Sequence, residues 1–158
     1  DGTFRPDGEI TRAEFAKMMS FAVSVTAVSV TEDAKDVSFS DVQEGAWYYD
    51  AVMLLASEGY INGYPDGTFK PDAKITRAEM SAIISNICGD LKVAAQKSFN
   101  DVTSDQWFYD EVMNLANAGY LEGYPDGTFK PDNNATRAEA SKLVFVALNN
   151  GYLLNEAE

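Results

Sequence analysis

The stretch Gly63-Tyr-Pro-Asp-Gly-Thr-Phe-Lys-Pro-Asp72 returns unchanged as Gly123–Asp132, 60 residues later. A third copy, Asp1-Gly-Thr-Phe-Arg-Pro-Asp7, stands 65 residues before its counterpart at 66–72. Each copy leads into Thr-Arg-Ala-Glu, at Thr11–Glu14, Thr76–Glu79 and Thr136–Glu139. Upstream, Phe39-x-Asp41-Val42 and Trp47-x-Tyr49-Asp50 match Phe99-x-Asp101-Val102 and Trp107-x-Tyr109-Asp110, again at 60. A length of 158 residues alone suggests one domain, but self-similarity at a fixed period has to be read first. The array holds two complete units and the second half of a third, divided as 1–38, 39–98 and 99–158.

Each complete unit reads as helix, loop, helix. Tyr48, Val52, Leu55 and Ala56 fall at helical spacing, and Phe108, Val112, Leu115 and Ala116 repeat the stripe. Gly59 and Gly119 follow the last periodic residues and suit a left-handed C-terminal cap. Tyr-Pro-Asp-Gly then supplies a turn, its Pro presetting φ at the second position. The second helix carries Met80, Ile83, Ile84 and Ile87, matched by Phe15, Met18, Met19 and Ala22 and by Ala140, Leu143, Val144 and Ala147. Thr and Glu of Thr-Arg-Ala-Glu form a capping box in all three copies. Units this small bury little apolar surface alone, so the reading is an all-α assembly of units packed on one another. Residues 23–38 and 88–98 are connectors, the first reading as part strand or mobile loop.

Composition removes whole classes of function. Histidine is absent, which excludes His-based nucleophilic sites, imidazole proton transfer and His-ligated zinc. The single cysteine, Cys88, follows the apolar stripe of its helix and cannot form an internal disulfide. Twelve Lys and Arg against 25 Asp and Glu give a charge of −13, a poor match to nucleic acid. No apolar run reaches the roughly 18–20 residues of a membrane-crossing helix. The chain opens inside a repeat, so a missing signal peptide carries no information.

The arginine of the capping box is the informative residue. Arg12, Arg77 and Arg137 occupy the first helical position, where the helix dipole disfavours a cation. One reading is an ion pair with a carboxylate such as Asp72 or Asp132. The other is that Arg and the free N–H groups of the first turn together hold an anionic group of a ligand. Trp47 and Trp107, near the start of the first helix, serve either as stacking faces for sugar rings or as core anchors. Tyr64 and Tyr124 in the turn stand open between a structural and a binding role. An EF-hand fails, because with Asp66 at loop position 5 the closing position falls on Ala73, and in the third unit on Asn133. Among 25 acidic residues some pair always lies close, so paired carboxylates are no argument for an enzyme. The residues point to no cofactor and no metal.

The combined pattern Phe-x-Asp-Val, Trp-x-Tyr-Asp, Gly-Tyr-Pro-Asp-Gly-Thr-Phe-x-Pro-Asp and Thr-Arg-Ala-Glu closely resembles the S-layer homology (SLH) domain over nearly the whole chain. The resemblance implies a pseudo-three-fold, three-pronged spindle around a central helical bundle, with binding grooves between neighbouring prongs. It implies a secreted, non-catalytic module that anchors proteins to the cell wall of Gram-positive bacteria by binding a secondary cell-wall polysaccharide, often pyruvylated. Carried over by position, Arg12, Arg77 and Arg137 would meet the pyruvyl carboxylate or nearby sugar oxygens. Trp47 and Trp107 are the helix-start tryptophans, and Gly63 and Gly123 the loop glycines. The first unit departs from the pattern by lacking its Phe-x-Asp-Val and Trp half. The runner-up is therefore a self-association module of a surface-layer protein, a homo-oligomer completed by helix exchange between chains.

Overall fold

The computed structural model describes residues 2–25 and 36–149. Most of the connector read as strand or loop, and residues 150–158 at the end of the third unit, lie outside them. The described residues form five helices and no strand: α1 (Arg12–Val25), α2 (Tyr49–Ser57), α3 (Arg77–Cys88), α4 (Tyr109–Asn117) and α5 (Arg137–Asn149). The all-α reading holds. α2 and α4 are the first helices of the complete units, whereas α1, α3 and α5 are the second helices of all three.

Local chemistry sets the helix ends as the sequence predicts. Thr76 Oγ1 accepts from the Glu79 N–H while Glu79 Oε2 accepts from the Thr76 N–H, and the same reciprocal bonds open α1 and α5. Gly59 and Gly119 close α2 and α4 at φ 76° and 83°, a left-handed conformation open to glycine without a Cβ penalty.

The units are joined through the stretches just before their second helices. Ile10 N–H donates to the Ala135 carbonyl, Ala135 N–H to Ile75, and Ile75 N–H back to Ile10, closing a cycle of three hydrogen bonds. Two residues on, a second cycle runs in the opposite sense: the N–H groups of Arg12, Arg77 and Arg137 donate to the carbonyls of Ala73, Asn133 and Gly8. Those of Ala13, Ala78 and Ala138 donate to Pro71, Pro131 and Pro6. Each second helix thus has first-turn N–H groups, which lack partners within the helix, satisfied by the loop of another unit. Beneath this ring Ile10, Phe15, Phe69, Ile75 and Phe129 are fully buried.

Packing across units follows the same order. α1 packs on α2 and α3 on α4, while α5 touches α1 and α3. Asn114 of α4 donates to Ser85 Oγ at 2.9 Å and to the Gly89 carbonyl at 2.8 Å, fixing α4 against α3. The matching face of α5 is more open. Ser20 and Ser85 are buried, but their counterpart Phe145 is 64% exposed, and Ala138 is exposed where Ala13 and Ala78 are buried. The half-unit shows the same asymmetry. Phe69 and Phe129 lie under the rings of Phe39 and Phe99, with centroids 5.6 and 5.5 Å apart, whereas Phe4 is 51% exposed.

Phe145→Asp should therefore leave stability within about 0.5 kcal/mol. Ser85→Asp at the equivalent covered position should cost more than about 2 kcal/mol by burying a charge beneath α4. Urea denaturation of the two variants compares them directly.

Candidate functional site

The loop between the helices of a complete unit is held by its own hydrogen bonds. The Tyr64 carbonyl accepts from Gly67 N–H and Tyr64 N–H donates to Thr68, closing the turn, while Asp66 Oδ1 takes the Thr68 N–H and hydroxyl. Asp41 then reaches in from the preceding half of the unit. Its two oxygens accept the N–H groups of Phe69 and Lys70 at 2.8 and 2.7 Å. This clamp holds Lys70 at φ 57°, left-handed and unusual for a residue with a Cβ. Asp101 does the same for Phe129 and Lys130. Asp41 and Asp101 are structural residues whose role the motif alone did not reveal.

Against this loop lies the arginine of the preceding unit. Arg12, 5% exposed, donates Nε to the Phe69 carbonyl at 2.8 Å and Nη1 to Glu79 Oε1 at 3.0 Å, and reaches the Asn62 carbonyl with Nη2. Its guanidinium carbon stands 4.8 Å from the Tyr64 ring centre and 4.7 Å from that of Phe69, a cation–π arrangement. Arg77 repeats the set on Phe129, Glu139 and Tyr124. Arg137 closes the cycle onto Phe4 and Glu14, more loosely: it is one-third exposed and its contact to Glu14 is 3.7 Å. The ion-pair reading of the arginines therefore has a partner, but it is the capping-box glutamate of another unit rather than Asp72 or Asp132. The first-turn N–H groups are not free for an anion, since loop carbonyls already take them.

Each glutamate works on two sides. Oε2 of Glu79 caps its own helix, while Oε1 accepts from Arg12 and, at 2.6 Å, from the Tyr64 hydroxyl. Burial would raise the Glu139 pKa, but the Thr136 N–H, the Arg77 charge and the Thr136 and Tyr124 hydroxyls outweigh it and hold it low. Tyr64 is pushed up to about 12 by burial and by donating to Glu79, against a lowering effect of Arg12. Burial likewise moves the Cys88 thiol up to about 11, in keeping with a residue packed against the core.

Gly63 and Gly123 have a packing explanation. A Cβ on Gly63 would clash with the Phe39 ring and come within 2.7 Å of the Thr68 carbonyl, and Gly123 is equally hemmed by Phe99 and Thr128. The tryptophans are not core anchors: Trp47 is 59% and Trp107 65% exposed, each set edge-on to the next aromatic residue.

Three cavities follow the inter-unit arginines. The one over Arg12, of about 580 Å³, combines residues of three units: Arg12, the 60–65 loop with Glu79 and Asn86, and Trp107. The one over Arg77, of about 180 Å³, is lined by the 120–124 loop, Glu139 and Lys142. That over Arg137, of about 640 Å³, lies among Phe4, Arg5, Glu14 and Lys74. Trp47 lines none of these three. Asn62, Asn86, Glu122 and Lys142 were missed in the sequence, because nothing local marks them as neighbours of an arginine at least 45 residues away.

The S-layer homology domain matches residues 1–16, 38–81 and 98–141, the first segment partial, and the chain belongs to that family. The family is one of cell-surface modules without catalysis. The chain is 36% identical to Cell surface glycoprotein 1 of Acetivibrio thermocellus over 97% of its own length and 7% of the relative's. It is 31% identical to the Cellulosome-anchoring protein of the same organism, covering 96% of this chain and 35% of the relative. The Surface-layer 125 kDa protein of Lysinibacillus sphaericus is 33% identical over 78% of this chain and 11% of its own. The chain thus spans about a third or less of these relatives.

Gly63→Ala should destabilise the chain by about 1–3 kcal/mol through overpacking, lowering the calorimetric melting temperature by several degrees. The pH dependence has a defined sign at both ends. Between about pH 10 and 12 the folded chain keeps the Tyr64 proton that the unfolded chain releases, so stability falls as pH rises. Glu139 contributes above its ordinary carboxylate range and loses that contribution as pH falls through its lowered pKa. Urea midpoints measured across pH, with Tyr64→Phe flattening the alkaline limb, check both.

Proposed function

We propose that the chain is a non-covalent cell-wall anchor whose inter-unit grooves bind a secondary cell-wall polysaccharide bearing pyruvate. The observation that carries this reading is the Arg12 cavity. It joins residues of three units and places an exposed tryptophan beside a loop of backbone polar groups, which suits the apolar face and hydroxyl rim of a sugar. Arg12, Arg77 and Arg137 form the cationic floor of the grooves. Tyr64 and Tyr124 brace that floor, and Gly63 and Gly123 let the loop close against it. The cyclic hydrogen bonding between units supports the three-pronged spindle, with units at 1–38, 39–98 and 99–158. A charge of −13 is compatible with an anionic polymer because distant carboxylates are screened beyond about 8 Å at physiological salt. Several modest grooves on one repeating chain gain affinity through effective concentration.

A second reading, self-association through helix exchange, draws support from the open face of α5 around Phe145. A solution mass that stays at one chain, 17.3 kDa, removes it.

The test is titration calorimetry against purified wall polysaccharide before and after chemical removal of pyruvate. Binding is expected, weaker after removal. Trp107→Ala should lower affinity about tenfold, and Trp47→Ala much less. Absence of binding to either polymer would overturn the anchor.

A further inference from the structure

The two cavities built on complete loops share a frame and differ in charge. In the Arg12 cavity the wall presents Asn62 from the loop and Ala82 from α3. At the same places the Arg77 cavity presents Glu122 and Lys142. The loop and helix positions change together: neutral with neutral in one groove, acid with base in the other.

Lys142 is the available cation of the second groove. Its ammonium stands 3.8 Å from Glu122 Oε2, and the side chains are 70% and 71% exposed. Such a solvated pair contributes little, so Lys142 can leave Glu122 for a ligand anion at small cost. Arg77 is in the opposite condition. It is 7% exposed, with Nε on the Phe129 carbonyl and Nη1 on Glu139, and its withdrawal would undo the contact between units. Among the described residues the Arg12 groove has no lining cation besides Arg12, which is held the same way.

Resting on the groove reading above, we propose that the two grooves take different sugars of the polymer, with Lys142 binding the carboxylate of an acidic sugar in the Arg77 groove. The Arg12 groove, with Trp107 at its rim and Asn62 and Asn86 in its wall, takes an uncharged sugar. Arg77 supplies a fixed positive background rather than the direct contact. Glu122 pairs with Lys142 at the groove wall and competes with the ligand for it.

The experiment is calorimetry of the whole chain against intact and depyruvylated wall polysaccharide, with melting curves on every variant. Lys142→Ala should lose at least tenfold in affinity for the intact polymer and bind both polymers alike, with its melting temperature unchanged. Lys142→Arg should keep the discrimination. Glu122→Asn, which installs the residue of the other groove, should keep or strengthen it. A Lys142→Ala chain that discriminates as the wild type does would overturn the inference and return the carboxylate to the arginines. Equal binding of both polymers by the wild type would also overturn it, leaving the grooves intact as neutral-sugar sites. Failure of the wild type to bind either would remove the groove reading itself, and this inference with it.

Discussion

The backbone hydrogen bonds that seat each second helix on another unit's loop, next to the Ile10, Ala135 and Ile75 cycle, hold the units together. A helix start leaves N–H groups that must find acceptors. Here those of α1, α3 and α5 find the carbonyls of the loops ending in Pro71-Asp72-Ala73, Pro131-Asp132-Asn133 and Pro6-Asp7-Gly8. No unit can satisfy its own second helix, so each is completed by another. The grooves are a by-product of that exchange. Seating one unit's helix start against another's loop carries Arg12 beneath the loop of 60–65 and Arg77 beneath that of 120–124, where aromatic rings and a glutamate receive them.

Burying a guanidinium is costly unless its donors and charge are met. The glutamate meets them without being an added residue. Glu79 already serves its helix cap with one oxygen, and the other is free to take Arg12 and the Tyr64 hydroxyl. One carboxylate therefore links the start of α3, the preceding unit and the turn of its own loop. The lowered pKa of Glu139 and the raised pKa of Tyr64 are two signs of the same arrangement.

Much of the fold was legible because it is local. Capping boxes, the glycine caps at 59 and 119 and the apolar stripes are all settled within a few residues, and the 60-residue period announces the units. Nothing in the physics of its own helix explains Arg12 at the first helical position. Its stabilising partner, however, lies 67 residues away on Glu79, a distance at which spacing says nothing. The same limit applies to the loop glycines. Gly63 stands in a motif that suggests a ligand contact, but the Phe39 ring and the Thr68 carbonyl already require it. The tryptophans went the other way: an aromatic near a helix start fits core and surface equally, and only packing across units leaves Trp107 at a cavity rim.

Because one chain holds several copies of the same frame, differences between copies separate structure from chemistry. Thr, Arg, Ala and Glu of the capping box, the loop glycines and the Asp41 and Asp101 clamps are identical between copies and satisfy the same bonds. Other residues vary with what each copy packs against. Ser85 and Phe145 differ because one lies under a helix and the other does not. Asn62 and Glu122, Ala82 and Lys142 differ with no change in the scaffold around them. Both complete grooves keep the buried arginine, glutamate and tyrosine, so their frame alone gives little basis for distinguishing ligands. On the groove reading proposed above, selectivity between them comes from the exposed wall, where a change of charge leaves the inter-unit bonds untouched.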